Sequence, residues 1–374
     1  MSNDRSNTIA VFLPSLAGGG AEKVVVNLVN EFISKNIKVD LILGKGEGPL
    51  LKKLNSKVRI IDLDRDRIIT CLPKLIVYLL KNRPAAIFSA MDHANVVAVF
   101  AKIISRVETR VVISVHTNLK ERFLKNRSLF NRLFVYSIKM AYKMADAIVA
   151  VSEGGASDVA SVANLSIESV SVIYNPVLTN EFFTQKSSVS EVDTNLIDSR
   201  PLVLAVGRLV KEKDYPTLLE AFFIVQAKLP AQLVILGEGG QRSHLESIIM
   251  RKGLAEKVLL PGFVDNPVAY MEKATVFVLS SVVEGFGNVL VEAMACGTPI
   301  ISTDCPTGPR EIVSKNDVLV PVGDSLRMAE EIVNVLEKPV KRYHSEKSLE
   351  KFDSKIIAEK YLKLIFANSQ KSNE

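Results

Sequence analysis

The chain has 374 residues, no tryptophan and three cysteines, Cys71, Cys296 and Cys305. Cysteines that are odd in number and lack metal-ligand spacing exclude a disulfide framework and point to a reducing compartment. No apolar run reaches the roughly 18 residues that a membrane span requires. The amino terminus, MSNDRSNTIAVFLPS, is polar before it turns apolar, and it lacks a secretory-signal pattern. Internal repeats and low-complexity tracts are also missing. These absences lead us to expect a cytoplasmic protein without a spanning segment. Hydrophobic residues make up 48% of the chain, enough for full cores, so disorder is excluded. The length predicts two or three domains.

Charge is present in excess of one sign, with a net of +6, and the excess is uneven. Residues 119–143, LKERFLKNRSLFNRLFVYSIKMAYK, hold seven Lys or Arg against one Glu, with apolar residues recurring at helical spacing. This reads as a basic amphipathic helix suited to an anionic membrane surface, which would place the protein peripherally on the inner face of the cytoplasmic membrane. The alternative is an ordinary helix with a solvated basic face. A basic patch also suits nucleic acid, but no recognition motif accompanies it, and we expect no such partner.

Short apolar runs alternate with helical patterns. Thr8–Pro14, Lys38–Leu43, Val58–Leu63, Ala85–Ser89, Val111–Val115, Ala147–Val151 and Val170–Ile173 read as strands, with helices such as Ala21–Ser34 and Asp92–Ile104 between them. A second series comprises Leu202–Gly207, Ala231–Gly237, Lys257–Leu260, Thr275–Ser280, Pro299–Thr303 and Val318–Val320. Alternation of this kind predicts an α/β protein with doubly wound parallel sheets. We expect a first domain at 1–180, a polar, Ser-rich linker at 181–200, a second domain at 201–345 and a terminal segment at 346–374 whose helix packs back toward the first domain.

The most informative stretch is EGFGNVLVEAMACG, residues 284–297. Glu284 stands at a Gly-rich turn after an apolar run, and Glu292 lies in a helix that Asn288 could cap and that Gly297 and Pro299 would end. A strand, tight turn and helix together present backbone N–H groups and the positive end of a helix dipole to an anion. Two carboxylates beside an anion site suit a ligand bearing both phosphate and hydroxyls, such as a sugar nucleotide. The bland alternative is a surface helix with Glu292 merely solvated.

This stretch resembles the Glu-x7-Glu signature of retaining glycosyltransferases of the GT-B fold, glycosyltransferase family 4, also described as glycosyl transferases group 1. The likeness extends through EGFGNVLVEAMACGTPII. It implies two Rossmann-like, doubly wound domains facing across a cleft. It also implies that Glu284 meets hydroxyls of the transferred sugar, that Phe286, Gly287, Asn288 and Val289 line the donor, and that Glu292 accepts from both ribose hydroxyls. In VLAVGRLVKEKDYP, Arg208 follows an apolar run and Lys213 lies five residues on. A forked guanidinium and a lysine suit phosphate oxygens, and in the family this pattern stabilises the departing nucleoside diphosphate.

Other positions follow the same resemblance. Gly18, Gly19 and Gly20 open a helix in LAGGGAEK, where Gly19 and Gly20 would lie near donor phosphates and Glu22 on the acceptor side. His116, in VVISVHTN, corresponds to a histidine that faces the donor sugar. Asp92 and Asn118 are candidate acceptor-side residues, although Asp92 could equally be only a helix cap. Gly262 and Val264 would lie against the nucleotide base, which we expect to be uracil. The TDCPTGPREI segment resembles members that build bacterial surface glycans, lipopolysaccharide among them, on polyprenyl diphosphate.

The Asp62, Asp64 and Asp66 run, IDLDRD, has the Asp-x-Asp spacing of metal-binding glycosyltransferases. Arg65 and Arg67 interleave, and we read it as a solvated loop with no metal site. The expectation is thus a retaining, metal-independent hexosyl or N-acetylhexosaminyl transferase, using a UDP-sugar and a glycan or lipid-linked acceptor. His116, Glu284, Arg208 and Lys213 would be its catalytic groups, and no cofactor beyond the nucleotide sugar is expected. A UDP-sugar 2-epimerase and a non-catalytic sugar-nucleotide-binding protein are the alternatives.

Overall fold

The structure, a computed structural model, describes residues 8–124, 128–187, 197–314, 317–341 and 345–367. The chain divides into two compact units, Met1–Val177 with Lys351–Glu374, and Leu178–Glu350.

In the first unit the apolar runs become β1 (Thr8–Leu13), β2 (Lys38–Leu43), β3 (Arg59–Asp62), β4 (Ala86–Ala90), β5 (Arg110–Val115), β6 (Ala147–Ala150) and β7 (Val170–Val172). They form one sheet in the order β3-β2-β1-β4-β5-β6-β7, with every pairing parallel. The inner strands β1 and β4 are covered on both faces, which is why they read as mainly apolar runs. Helices α1 (Gly20–Ser34), α2 (Leu72–Asn82), α3 (Asp92–Ser105), α4 (Leu129–Lys143) and α5 (Glu153–Ala163) connect them. Leu79, Val97, Ile138 and Val159, from α2 to α5, share one core with Phe12, Ile87 and Val111 of the sheet. Helix α1 covers the opposite face.

The second unit opens with α6 (Asn180–Ser187). Its strands are β8 (Leu202–Val206), β9 (Gln232–Leu236), β10 (Val258–Gly262), β11 (Val276–Leu279), β12 (Ile300–Thr303) and β13 (Val318–Val320). They too are all parallel, in the order β10-β9-β8-β11-β12-β13. Between and after them come α7 (Tyr215–Gln226), α8 (Arg242–Arg251), α9 (Pro267–Lys273), α10 (Asn288–Ala295), α11 (Pro309–Ile312), α12 (Ser325–Glu337) and α13 (Glu346–Leu349). In both sheets the strand order reverses once, at β1/β4 and at β8/β11. Ligands of such sheets bind beyond the carboxyl ends of the strands at that point.

The last helix, α14 (Ser354–Ile365), belongs to the first unit. Ser354 donates to buried Glu31 at 2.6 Å, Arg110 Nε donates to Leu364 O at 3.0 Å, and the Tyr361 ring sits edge-on to Phe88 at 5.3 Å.

Two local expectations change. The stretch 181–200 is not all linker, since α6 buries Phe182 and Lys186 donates to Ala295 O at 2.6 Å, tying it into the second unit. One aromatic anchor suffices for a short helix, and its Ser-rich flank hid the signal; residues 188–196 lie outside the described residues. Nor is 119–143 one helix. A π-helical turn, Lys120–Leu124, precedes α4, which Ser128 caps by accepting from Asn131 N–H at 3.2 Å, while 125–127 lie outside the described residues. Among the described residues, no helix is long and apolar enough to cross a membrane.

Candidate active site

In the second unit the loops after β8, β9, β10 and β11 meet at the carboxyl end of the sheet. Backbone bonds tie them together: Leu209 N–H donates to Glu238 O at 2.8 Å, and Gly237 N–H to Gly262 O at 2.8 Å. Gly237 is required there, because its φ is +138° and a Cβ would stand 2.1 Å from Gly207 O.

Lys213 ends a 3-10 turn after β8, and Glu284 follows β11, so the adjacency of these two strands brings them together across the reversal point. Lys213 Nζ donates to Glu284 Oε1 at 2.5 Å, and Ser281 Oγ donates to the same oxygen at 2.7 Å. Glu284 Oε2 accepts from no described residue. An ammonium carries three hydrogens, so two remain on Lys213 for a phosphate, while Oε2 remains for a hydroxyl. Arg208 is exposed on the same loop, and no described residue pairs its guanidinium.

The turn of the Glu-x7-Glu motif is held from behind. Thr307 Oγ1 donates to Glu284 O, and a Cβ on Gly308 would lie 2.0 Å from Phe286 O. The residue capping α10 is Gly287, at φ +103°, and not Asn288, which is the first residue of the helix. Glycine supplies the positive φ and brings no side-chain oxygen to the first N–H groups, the arrangement that anion sites use. Glu292 is 5% exposed, so the solvated-surface alternative is wrong for it. Val289 is half-buried beside it, and Val264 likewise follows β10, while Phe263 between Gly262 and Val264 is 76% exposed. Burial, with a smaller contribution from Glu284, pushes the Cys305 thiol up to about 12, which leaves it inert.

The first unit carries its own cluster at the carboxyl ends of β1, β4 and β5. Gly19 caps α1, and Glu22 turns its carboxylate back to accept from Gly19 N–H, so this acid is engaged at its own helix start. Asp92 is 1% exposed and follows Met91, whose φ of 77° is rare for a non-glycine residue. Asp92 Oδ2 accepts from Thr117 Oγ1 at 2.9 Å and from Arg122 Nη1 at 3.2 Å, whereas Oδ1 is buried with no partner. Burial pushes this carboxyl above its ordinary range, and Arg122 opposes the shift. Asn118 Oδ1 accepts from Glu121 N–H at 3.0 Å and starts the π-helical turn that carries Arg122. His116 Nε2 lies 3.0 Å from Ser114 Oγ, and burial lowers its pKa from 6.5 to about 4, so the ring is neutral at pH 7.

The IDLDRD run is occupied by local contacts. Asp62 accepts from Asp64 N–H at 2.7 Å, and Asp66 pairs with Lys45 at 2.9 Å. Among the described residues no group of three or more His, Cys, Asp or Glu is placed to hold a metal ion. Ser281, Thr307 and Arg122 are contacts that sequence reasoning missed. The Thr303–Ile312 segment carried a family resemblance, but nothing in it said that Thr307 would reach Glu284.

Residues 18–181 match the family described as Glycosyltransferase Family 4, and residues 189–353 match Glycosyl transferases group 1. The N-acetylgalactosamine-N,N'-diacetylbacillosaminyl-diphospho-undecaprenol 4-alpha-N-acetylgalactosaminyltransferase of Campylobacter jejuni is 31% identical over 88% of this chain and 90% of its own length. The chain belongs to glycosyltransferase family 4. It is a glycosyltransferase of the GT-B fold, related to enzymes of bacterial surface-glycan assembly. The lipopolysaccharide core biosynthesis glycosyltransferase LpsE of Rhizobium meliloti is 28% identical over 93% of this chain and 96% of its own. Anabaena HepE, solved in complex with UDP-glucose, shares the fold, with a TM-score of 0.75 and 22% identity over 98% of both chains.

Proposed function

We propose that this family 4 glycosyltransferase moves a hexose or N-acetylhexosamine from a UDP-sugar to a lipid-linked or glycan acceptor, with retention and without a metal. The observation that carries the proposal is the Lys213–Glu284 pair at the β8/β11 reversal, with ammonium hydrogens and a carboxylate oxygen still unspent. Arg208 and Lys213 stabilise charge on the leaving diphosphate, in the role that a metal ion plays elsewhere. Glu284 takes sugar hydroxyls, Glu292 the ribose, and Gly262 and Val264 lie against uracil. His116 meets the transferred sugar, and Asp92 and Asn118 lie on the acceptor side. The acceptor hydroxyl attacks on the face from which the diphosphate departs, and the leaving phosphate takes its proton.

The acceptor side is supported by relatives whose names specify diphospho-undecaprenol substrates and by the surface of the first unit. Helices α2, α3 and α4 together carry six Lys or Arg, and their one acid, Asp92, is buried. On α4, Leu129 and Phe130 are 71% and 69% exposed, and Leu133 and Tyr136 are similarly open. Exposed apolar groups among cations, with no exposed carboxylate, suit an anionic bilayer surface.

The test is calorimetric titration with UDP, GDP and ADP, in EDTA and then in Mg²⁺. Micromolar binding of UDP alone, indifferent to EDTA, is expected. Binding that requires Mg²⁺ would return the IDLDRD run to consideration and remove the metal-free mechanism.

A further inference from the structure

The hydroxyl of Tyr361, on the last helix, lies 3.1 Å from Ser114 Oγ, which in turn lies 3.0 Å from His116 Nε2. Tyr361 and Ser114 are fully buried, and His116 Nδ1 is buried without a partner. Three hydrogens must be placed along this row: the phenol's, the serine's and the single N–H of a neutral imidazole.

With the imidazole hydrogen on Nε2, Ser114 Oγ receives it. The serine hydrogen can then turn to Tyr361, which strands the phenol hydrogen. Otherwise the phenol donates to Ser114, which strands the serine hydrogen. Both choices leave one buried donor unmet and the Nδ1 lone pair unmet as well. With Tyr361 donating to Ser114 and Ser114 donating to Nε2, the single unmet group is N–H at Nδ1. An unmet buried polar group carries its full desolvation cost, so the arrangement with one is favoured over those with two.

We propose that Ser114 and Tyr361 are positioning residues that hold His116 as the Nδ1–H tautomer, and that this N–H is the donor offered to an oxygen of the transferred sugar. The second half rests on the reading that His116 meets that sugar. A buried donor left unmet by its own protein calls for an explanation, and a place kept for a ligand atom is one. The hydrogen bond to Nε2 also fixes the ring plane. The last helix thereby controls a side chain 245 residues earlier in the chain, since Tyr361 and His116 both lie in the first unit.

The experiment is two-bond proton–nitrogen correlation on protein labelled with ¹⁵N-histidine at pH 7, with His116→Asn identifying the signal among the four histidines. The expected wild-type pattern has the proton on Nδ1. Ser114→Ala should populate both tautomers, and Tyr361→Phe should keep Nδ1–H as the major form with a smaller share of the other. A proton on Nε2 in the wild type, a cationic ring at pH 7, or a Ser114→Ala pattern identical to wild type would overturn the tautomer assignment. In parallel, UDP release from a panel of UDP-sugars should fall roughly tenfold in kcat for Ser114→Ala, the scale of one neutral hydrogen bond, with UDP affinity unchanged. Wild-type kcat alongside a shifted tautomer would overturn the offer to the sugar while leaving the tautomer assignment standing.

Discussion

Lys213 and Glu284 are 71 residues apart in sequence and share a hydrogen-bonded ion pair at 2.5 Å. Both side chains are largely shielded from water, with 18% and 12% of their area exposed. Breaking a shielded pair leaves one charge uncompensated. Lys213→Met should therefore lower turnover by roughly 10²-fold or more, and it should also disturb the geometry of Glu284. Glu284→Gln, which keeps the shape and the acceptor oxygen, should lose activity while retaining UDP binding. UDP release and UDP titration measure the two effects; a Lys213→Met enzyme with wild-type turnover would remove this pair from the chemistry.

Arg208 is exposed and without a described partner, so its removal should cost the fold little. Arg208→Ala should reduce kcat by roughly 10²-fold, the scale of losing one donor to developing charge, with the thermal midpoint near that of wild type. Undiminished turnover at saturating donor would exclude it from stabilising the leaving group.

Glu292 is buried in α10, the helix that Gly287 caps. Glu292→Ala should weaken UDP binding by about 1–3 kcal/mol through lost charge-assisted hydrogen bonds. Calorimetry with UDP and with uridine monophosphate reads this directly, and an unchanged Kd for both would exclude the ribose contact.

The depressed pKa of His116 has a signed consequence. Between 6.5 and about 4 the unfolded chain binds a proton at this position that the folded chain refuses. Stability therefore falls as pH drops through that window, by at most about 3 kcal/mol from this group and less for the part of the ring that meets water. Asp92, whose pKa is raised, acts in the opposite sense. Urea unfolding of wild type and His116→Gln from pH 7 to 4.5 should show a steeper loss in wild type; parallel curves would mean that the ring is not held neutral.

Helix α4 presents Arg132, Lys139 and Lys143 among its exposed apolar residues. Each cation near an anionic surface contributes about 1 kcal/mol. Converting all three to Glu should abolish co-sedimentation with vesicles rich in anionic lipid and leave UDP binding intact. Vesicle binding equal to that of wild type would show that α4 does not face the bilayer.

Among the described residues, all thirteen strands lie within a residue or two of the apolar runs read from sequence. This legibility has a physical cause: inner strands of a parallel sheet are covered on both faces and read as largely apolar runs, whereas the exposed edge strand β3, RIID, is marked only by its Ile60–Ile61 pair. The glycine-rich turn after Glu284 was equally visible, because positive φ narrows the choice of residue at Gly287. The break between 119 and 143 was not, because apolar spacing continues across it, and nor was α6, in which Phe182 alone is buried and no apolar periodicity marks the helix.

The residue kinds of the site, two glutamates around a turn and a lysine and an arginine after an earlier strand, were thus determined by the sequence alone. Their partnerships were decided by the tertiary structure. Lys213 reaches Glu284 because β8 lies beside β11, Asp92 meets Arg122 because β4 lies beside β5, and Tyr361 reaches Ser114 because α14 docks on the first sheet. Such contacts depend on strand order and helix docking, which are set by the packing of the whole core, and no local stretch of sequence carries them.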